Sequence, residues 1–365
     1  MPILALLLLF LFAGCCTAPK APPAPRAVSW SELPNWDKNE LLPSWKSFEK
    51  SCSILQRRSS WAEVCKQAVG LKDPDEKSVR SFFMDNFTPY ELSNADGSDE
   101  GLITGYYEPV IRGSLKPGSR YRYPVYGVPK NLISVDLSEL YPELSHMRLR
   151  GRVVGNRLVP YYSRAQIAGE PHLLQGDEIL WADDAIDLFF LQIQGSGRVM
   201  LPNGDMVRIG YADQNGYPYR SIGKVLVERG ELSLSQASME GIKAWGRSHP
   251  DKLAALLDEN PSYVFFRFLK NSEENPPGSL GVPLSPGLSI AVDTRAIELG
   301  APVYLSSTWP ESEKPFERLM LAQDTGGAIR GKVRADVYWG SGRKAGELAG
   351  KTRQRGRLWV LLPRR

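Results

Sequence analysis

The chain of 365 residues is 42% hydrophobic and 24% charged, ordinary proportions for a globular protein and long enough for two domains of about 100–200 residues each. A net charge of +4 is too mild for a dedicated nucleic-acid binder. The histidines His146, His172 and His249 lie far apart and outside any metal-ligand spacing. No metal or other cofactor is therefore called for, a Ser-His-Asp triad is not indicated, and acid–base chemistry falls to carboxylates or tyrosines.

Met1 to Gly14 is an unbroken apolar run of signal-peptide length, short of the about 20 residues a bilayer span takes. It ends in Phe12-Ala13-Gly14-Cys15, which resembles a bacterial lipoprotein processing box with Cys15 as the lipidated residue; Cys16 leaves processing one residue later open. Residues 1–15 read as a lipoprotein signal peptide and residues 16–27, rich in proline and alanine, as an extended tether holding a domain off a membrane. Position 16 is not aspartate, which by the same resemblance points to the periplasmic face of the outer membrane. In that oxidising compartment Cys52 and Cys65 could pair as a disulfide; the alternative is two unpaired cysteines buried between helices.

Residues 28–93 carry helical punctuation: Trp45, Phe48 and Cys52 share one face, as do Val79, Phe82, Phe83 and Phe87, and together they predict a helical cap over a core. At Gly101-Leu-Ile-Thr-Gly-Tyr-Tyr-Glu-Pro109 the pattern changes to strand, with Tyr106, Tyr107 and Glu108 as a carboxylate among aromatic rings. Strand-length pieces follow at 123–126, 132–135, 151–154, 158–162, 185–194, 197–200 and 206–209, and the turn at 202–205 makes the last two a hairpin. Such evenly punctuated short strands point to a small barrel. Helix returns from Ser233 to about Leu257, with Ser235 as its cap and Ala237, Ile242, Trp245, Leu253 and Leu256 facing inward. A strand at 261–268 follows, and from Gly281 onward only short strands and turns are expected, at 288–292, 303–305, 319–324, 336–339 and 358–362. The terminal basic cluster (Lys351, Arg353, Arg355, Arg357, Arg364 and Arg365) reads as a solvated face.

The stretch from Leu321 to Gly340 organises the rest. Asp324 ends one apolar run, Gly326 and Gly327 supply turn chemistry, and Asp336 opens Val337-Tyr338-Trp339. Two carboxylates are thus expected at the edges of adjacent short strands, beside glycines and aromatic rings, as on a sugar-binding surface. A carboxyl held against poorly solvated rings can stay protonated and serve as a general acid. The competing reading is that each Asp merely bonds its own turn.

Five segments carry a family resemblance: Gly105-Tyr-Tyr-Glu-Pro109, Tyr161-Tyr-Ser-Arg164, Gln192-Ile-Gln-Gly-Ser-Gly-Arg198, Asn260-Pro-Ser-Tyr-Val-Phe-Phe266 and Ala322-Gln-Asp-Thr-Gly-Gly-Ala-Ile-Arg-Gly331. Together they resemble the membrane-bound lytic murein transglycosylases of type A, over roughly residues 100–360. The last belongs to a module (about 285–355) named for three aspartates, here Asp293, Asp324 and Asp336.

The resemblance implies a mainly β fold with α segments. A double-psi β-barrel would form from 28–127 and 226–365, a smaller β-barrel would be inserted at 128–225, and a glycan groove would lie between them. It implies cleavage of the β-1,4 bond between N-acetylmuramic acid and N-acetylglucosamine without water, by an exotransglycosylase that leaves 1,6-anhydromuramyl ends, although the residues are silent on endo versus exo action. Asp336 would be the catalytic acid and then base, and Asp293 structural. Substrate would meet Asp324, Tyr106, Glu108, Gln194, Ser196, Gly197, Arg198, Gly326, Gly327 and Tyr338. The partners are then peptidoglycan glycan strands and the outer membrane, and nothing suggests more than a monomer. Two alternatives stand: a hydrolase with Asp324 or Glu108 activating water, and a non-catalytic glycan-binding lipoprotein.

Overall fold

The structure, a computed structural model, describes residues 25–144, 147–270 and 275–364. The signal peptide with Cys15, most of the tether, and His146 lie outside the described residues. After a short strand β1 (Arg26–Ala27) come α1 (Leu42–Leu55), with proline in its first turn, α2 (Ser59–Gly70) and α3 (Glu76–Asn86), which Asp75 caps by accepting from the Ser78 amide at 2.8 Å. Trp45 and Phe48 of α1 pack on Phe82 and Phe83 of α3, and Cys52 of α1 forms the anticipated disulfide with Cys65 of α2.

Phe87, assigned to the helical face from spacing, instead opens β2 (Phe87–Glu91), because Thr88 precedes Pro89 and the residue before a proline is pushed out of helical conformation. Its ring still packs 5.8 Å from Phe48 and 5.6 Å from Phe83, so the helices belong to the core rather than merely covering it. Gln323 anchors them, donating to the Ser47 carbonyl and to Ser51 Oγ, each at 2.9 Å.

The chain continues through β3 (Gly101–Glu108), β4 (Val110–Ser114), β5 (Tyr123–Tyr126), β6 (Ile133–Val135), β7 (Leu149–Val154), β8 (Arg157–Pro160), α4 (Arg164–Gly169) and β9 (Glu178–Ala182). Residues 185–194, expected as strand, are helix α5 (Ala185–Gln194). Six of its ten side chains are buried and seven of the ten are apolar, which blurs the periodicity that separates helix from strand. Its ends carry the signal instead: Asp184 accepts from the amides of Ile186 and Asp187, and Gly195 stops the helix at φ 79°.

The hairpin β10 (Ser196–Met200) and β11 (Met206–Gln214) forms as anticipated. An unforeseen α6 (Ile222–Glu228) follows, and the expected 233–257 helix is two, α7 (Met239–Ser248) and α8 (Pro250–Asp258). The cap is Ser238 rather than Ser235, and Pro250 starts a new helix because it cannot continue the old one. Ile242, Trp245 and Leu256 are buried as read; Ala237 and Leu253 are half-buried.

The remaining strands are β12 (Val264–Leu269), β13 (Ser289–Val292), β14 (Pro302–Thr308), β15 (Pro315–Asp324), β16 (Arg334–Ser341) and β17 (Arg353–Pro363). Between the last two lies a further unforeseen helix, α9 (Gly342–Lys351), whose Gly346 leaves room for the Tyr107 ring: a Cβ there would stand 2.9 Å from it. Several of the described terminal basic residues are engaged rather than simply solvated. Arg357 pairs with Glu91 and Asp99, Lys351 with Glu311, and Arg364 bonds the Met84 and Phe87 carbonyls.

Eight strands run in the order β1-β2-β17-β14-β15-β13-β16-β3, and β17 also pairs with β3, closing the sheet on itself. Parallel pairs β3–β16 and β13–β15 cross within this otherwise antiparallel barrel. A second sheet, β12-β11-β10-β4-β9-β5, packs on α5, and β6-β7-β8 form a small separate sheet. The second sheet draws β4 and β5 from before residue 128 and β12 from beyond residue 225, so it is wider than the insert read from the motifs.

Candidate active site

Asp336 sits on β16 between two neighbours, with Thr104 of β3 opposite it on one side and Ala291 of β13 on the other. Asp324 ends β15 and faces the same Ala291 from the far side of β13. The carboxylates are therefore not on adjacent strands, as the sequence reading had them; one strand intervenes, and their backbones stand about 10 Å apart across two strand spacings.

Thr104 Oγ1 donates to Asp336 Oδ1 at 2.6 Å and accepts from Arg334 Nη2 at 2.8 Å. Because the arginine fork occupies the acceptor side of the hydroxyl, its single proton points at the aspartate. Burial raises the Asp336 pKa above its ordinary value. The Thr104 hydrogen bond and the Arg334 charge oppose that rise, and the nearby Asp324 charge adds to it.

Asp324 is held differently. Its Oδ1 accepts from the Ser279 amide, the Ser279 hydroxyl and the Thr325 amide, each at 2.9 Å, and its Oδ2 accepts from the Tyr106 hydroxyl at 2.7 Å. Burial, then the Asp324 charge, pushes the Tyr106 pKa well up, so this phenol remains a proton-bearing donor. Its ring lies 5.3 Å from Tyr338.

These groups open into a cleft of about 940 Å³ between the two sheets. Asp336, Asp324, Tyr106, Gln194, Ser196, Gly326 and Gly327 line it, so most of the residues singled out from the motifs converge there. Glu108, Gly197, Arg198 and Tyr338 do not. Glu108 is fully buried and receives Arg198 Nε on one oxygen and Arg208 Nη2 on the other, both at 2.9 Å, clamping the end of β3 to β10 and β11. At Gly197 a Cβ would come within 2.5 Å of Leu191, so this glycine lets β10 press against α5. Tyr338 is buried beneath Tyr106 and donates to Asn275 Oδ1 at 3.3 Å.

The third aspartate, Asp293, is likewise outside the cleft. It is bonded by the Arg295 guanidinium at 2.5 Å and the Gly331 amide at 2.9 Å; burial pushes its pKa up, but these donors outweigh burial and bring it down to about 2. Sequence reading missed Thr104, Arg334 and Ser279. The strand period could have found the first two, since Thr104 and Tyr106, like Arg334 and Asp336, share a face two residues apart.

The family model described as the MltA specific insert domain matches residues 102–267, and that of the 3D domain matches residues 288–362. Membrane-bound lytic murein transglycosylase A of Vibrio cholerae is 34% identical over 282 residues, which are 74% of this chain and 68% of the relative. The crystal structure of MltA from Neisseria gonorrhoeae superposes with a TM-score of 0.78 at 40% identity, covering 92% of each chain. That of Escherichia coli MltA with bound chitohexaose gives 0.70 at 25% identity, covering 96% of this chain and 97% of the other. On motif, fold and site together, the chain belongs to the membrane-bound lytic murein transglycosylase A family.

Proposed function

We propose that the cleft holds a glycan strand of peptidoglycan and that Asp336 alone performs the proton transfers of its lytic cleavage. The enzyme is a lytic transglycosylase, a lyase acting on a polysaccharide. The observation that carries the assignment is the unlike treatment of the two cleft carboxyls. Asp324 has four donors on its two oxygens, from Ser279, Thr325 and Tyr106, which occupy the lone pairs it would need to take a proton from substrate or water. Asp336 has a single donor, on Oδ1, and burial favours its protonated form, leaving Oδ2 to carry a proton toward the substrate.

In the first step the Asp336 proton passes to the glycosidic oxygen while the bond from the muramyl anomeric carbon to that oxygen breaks. Positive charge developing at the sugar is opposed by the Asp324 carboxylate. Asp336, now a carboxylate steadied by Thr104, removes the proton of the muramyl 6-hydroxyl as that oxygen bonds to the anomeric carbon. The 1,6-anhydro end forms, the aspartic acid is regenerated, and no water enters. An inverting hydrolase would need a second carboxylate as base, about 6.5–9.5 Å from the acid, to activate water. Glu108 is sealed between two arginines and Asp324 is saturated with donors, which speaks against that alternative.

No helix among the described residues is long and apolar enough to cross a membrane. A lipid on Cys15, followed by the Pro/Ala-rich segment, accounts for membrane attachment at the periplasmic face of the outer membrane, and the enzyme works as a monomer. The test is digestion of murein sacculi with wild type and Asp336→Asn, read by mass spectrometry. Wild type releases products one water lighter than hydrolysis gives, and the variant loses about 10²–10⁴-fold in rate. Reducing ends, or equal clearing by both proteins, would refute the assignment; no clearing by either would favour a purely glycan-binding role.

A further inference from the structure

One wall of the cleft carries charge that the cleavage chemistry does not use. Ser196, Gly210 and Arg267 stand in register across β10, β11 and β12, so Arg267 lies about 10 Å from Ser196 along one wall. Arg267 is exposed, lines the cleft and has no carboxylate partner among the described residues. Arg148, just before β7, lines the same cleft; it reaches Thr325 Oγ1 at 3.4 Å and lies over the Tyr211 ring, again with no carboxylate.

Beneath them Arg164 is 7% exposed, yet it too lines the cleft. Its Nε and Nη2 donate to the Asn260 and Ser262 carbonyls at 3.1 and 2.7 Å, while the Phe189 and Tyr263 rings lie 4.8 and 5.0 Å from it. No carboxylate bonds this cation, and burial lowers its pKa to about 10. The acidic groups lining the cleft, among the described residues, are Asp324 and Asp336.

A neutral sugar chain does not require three guanidinium groups that no carboxylate bonds, whereas a planar fork matches a carboxylate. On peptidoglycan the carboxylates are borne by the peptide attached to the muramyl lactyl group. Resting on the reading of this cleft as a glycan site, we infer that the wall formed by Arg267, Arg148 and Arg164 receives carboxylates of the peptide stem and selects peptide-bearing strands.

The test compares kcat/KM on peptide-bearing glycan strands with that on the same strands after their carboxyl groups have been converted to amides. Wild type should lose about 3–10-fold on amidation, the scale of one or two partly solvated charge pairs, and added salt should erode the difference. In the double variant Arg267→Gln, Arg148→Gln the ratio between the two substrates should fall to about one. Equal wild-type rates on both substrates, or a variant that keeps the wild-type ratio, overturn the inference. The amidation arm uses wild type alone and so stands even if the variant misfolds. Absence of anhydro product from either substrate would instead overturn the glycan-site reading, and this inference with it.

Discussion

Replacing Thr104 by valine tests the proton chemistry most directly, because the side chain keeps its shape and loses only the hydroxyl. The hydrogen bond to Asp336 Oδ1, 2.6 Å long, favours the charged carboxylate against the burial that disfavours it. A hydrogen bond to a charged group contributes about 1.5–3 kcal/mol, so its loss shifts the Asp336 ionisation equilibrium toward the acid by about 10- to 100-fold. Cleavage needs the protonated form at the start, so the alkaline limb of the kcat/KM profile should move to higher pH. The carboxylate formed midway is less stable without Thr104, so kcat itself should fall by up to a comparable factor. The assay is release of soluble muropeptides from sacculi across pH 4 to 9, with Thr104→Ser as the control that restores the donor. A limb that stays in place in Thr104→Val, or moves to lower pH, would mean that Asp336 is not the titrating acid or that Thr104 does not donate to it.

Asp336→Asn should also raise the melting temperature at neutral pH. The folded-state pKa lies above the unfolded value of 3.8, so the native chain binds more protons there and wild-type stability falls as pH rises from 3.8 through the raised pKa. Calorimetry should show wild type and variant converging toward pH 4 and separating above it; parallel curves would contradict the burial argument. Glu108→Ala should cost about 3–5 kcal/mol in urea unfolding, since it removes the carboxylate from between Arg198 and the buried Arg208, and a loss near zero would mean the clamp between β3 and the second sheet is idle. Reduction of the Cys52–Cys65 disulfide, or its replacement by two alanines, should cost about 3 kcal/mol through the freed loop, and an unchanged urea midpoint would exclude that contribution.

What could be read without coordinates rested on chemistry local to the chain. The β10–β11 hairpin followed from its turn residues, the helices at 42–55 and 76–86 from apolar spacing, and the likeness at Asp324 and Asp336 from short contiguous motifs. Reading failed where burial removed the pattern or where small residues masked it. Residues 185–194 are apolar on almost every face, and the face that α9 buries is made of the small residues Ala345, Gly346 and Ala349 rather than the large apolar ones read as a core.

The order of the residues by itself determined which groups are available: one aspartate before the glycine turn, one before Tyr338 and Trp339, and a tyrosine-rich strand far upstream. Only the folded barrel decided how each is held. By inserting β13 between β15 and β16 it separated the two carboxylates, then gave four donors to Asp324 and one to Asp336. The same folding sealed Glu108 between two arginines and out of the cleft. Proton affinity depends on burial and on the donors in contact, and the donor to Asp336 is Thr104, on a strand 232 residues away in the chain.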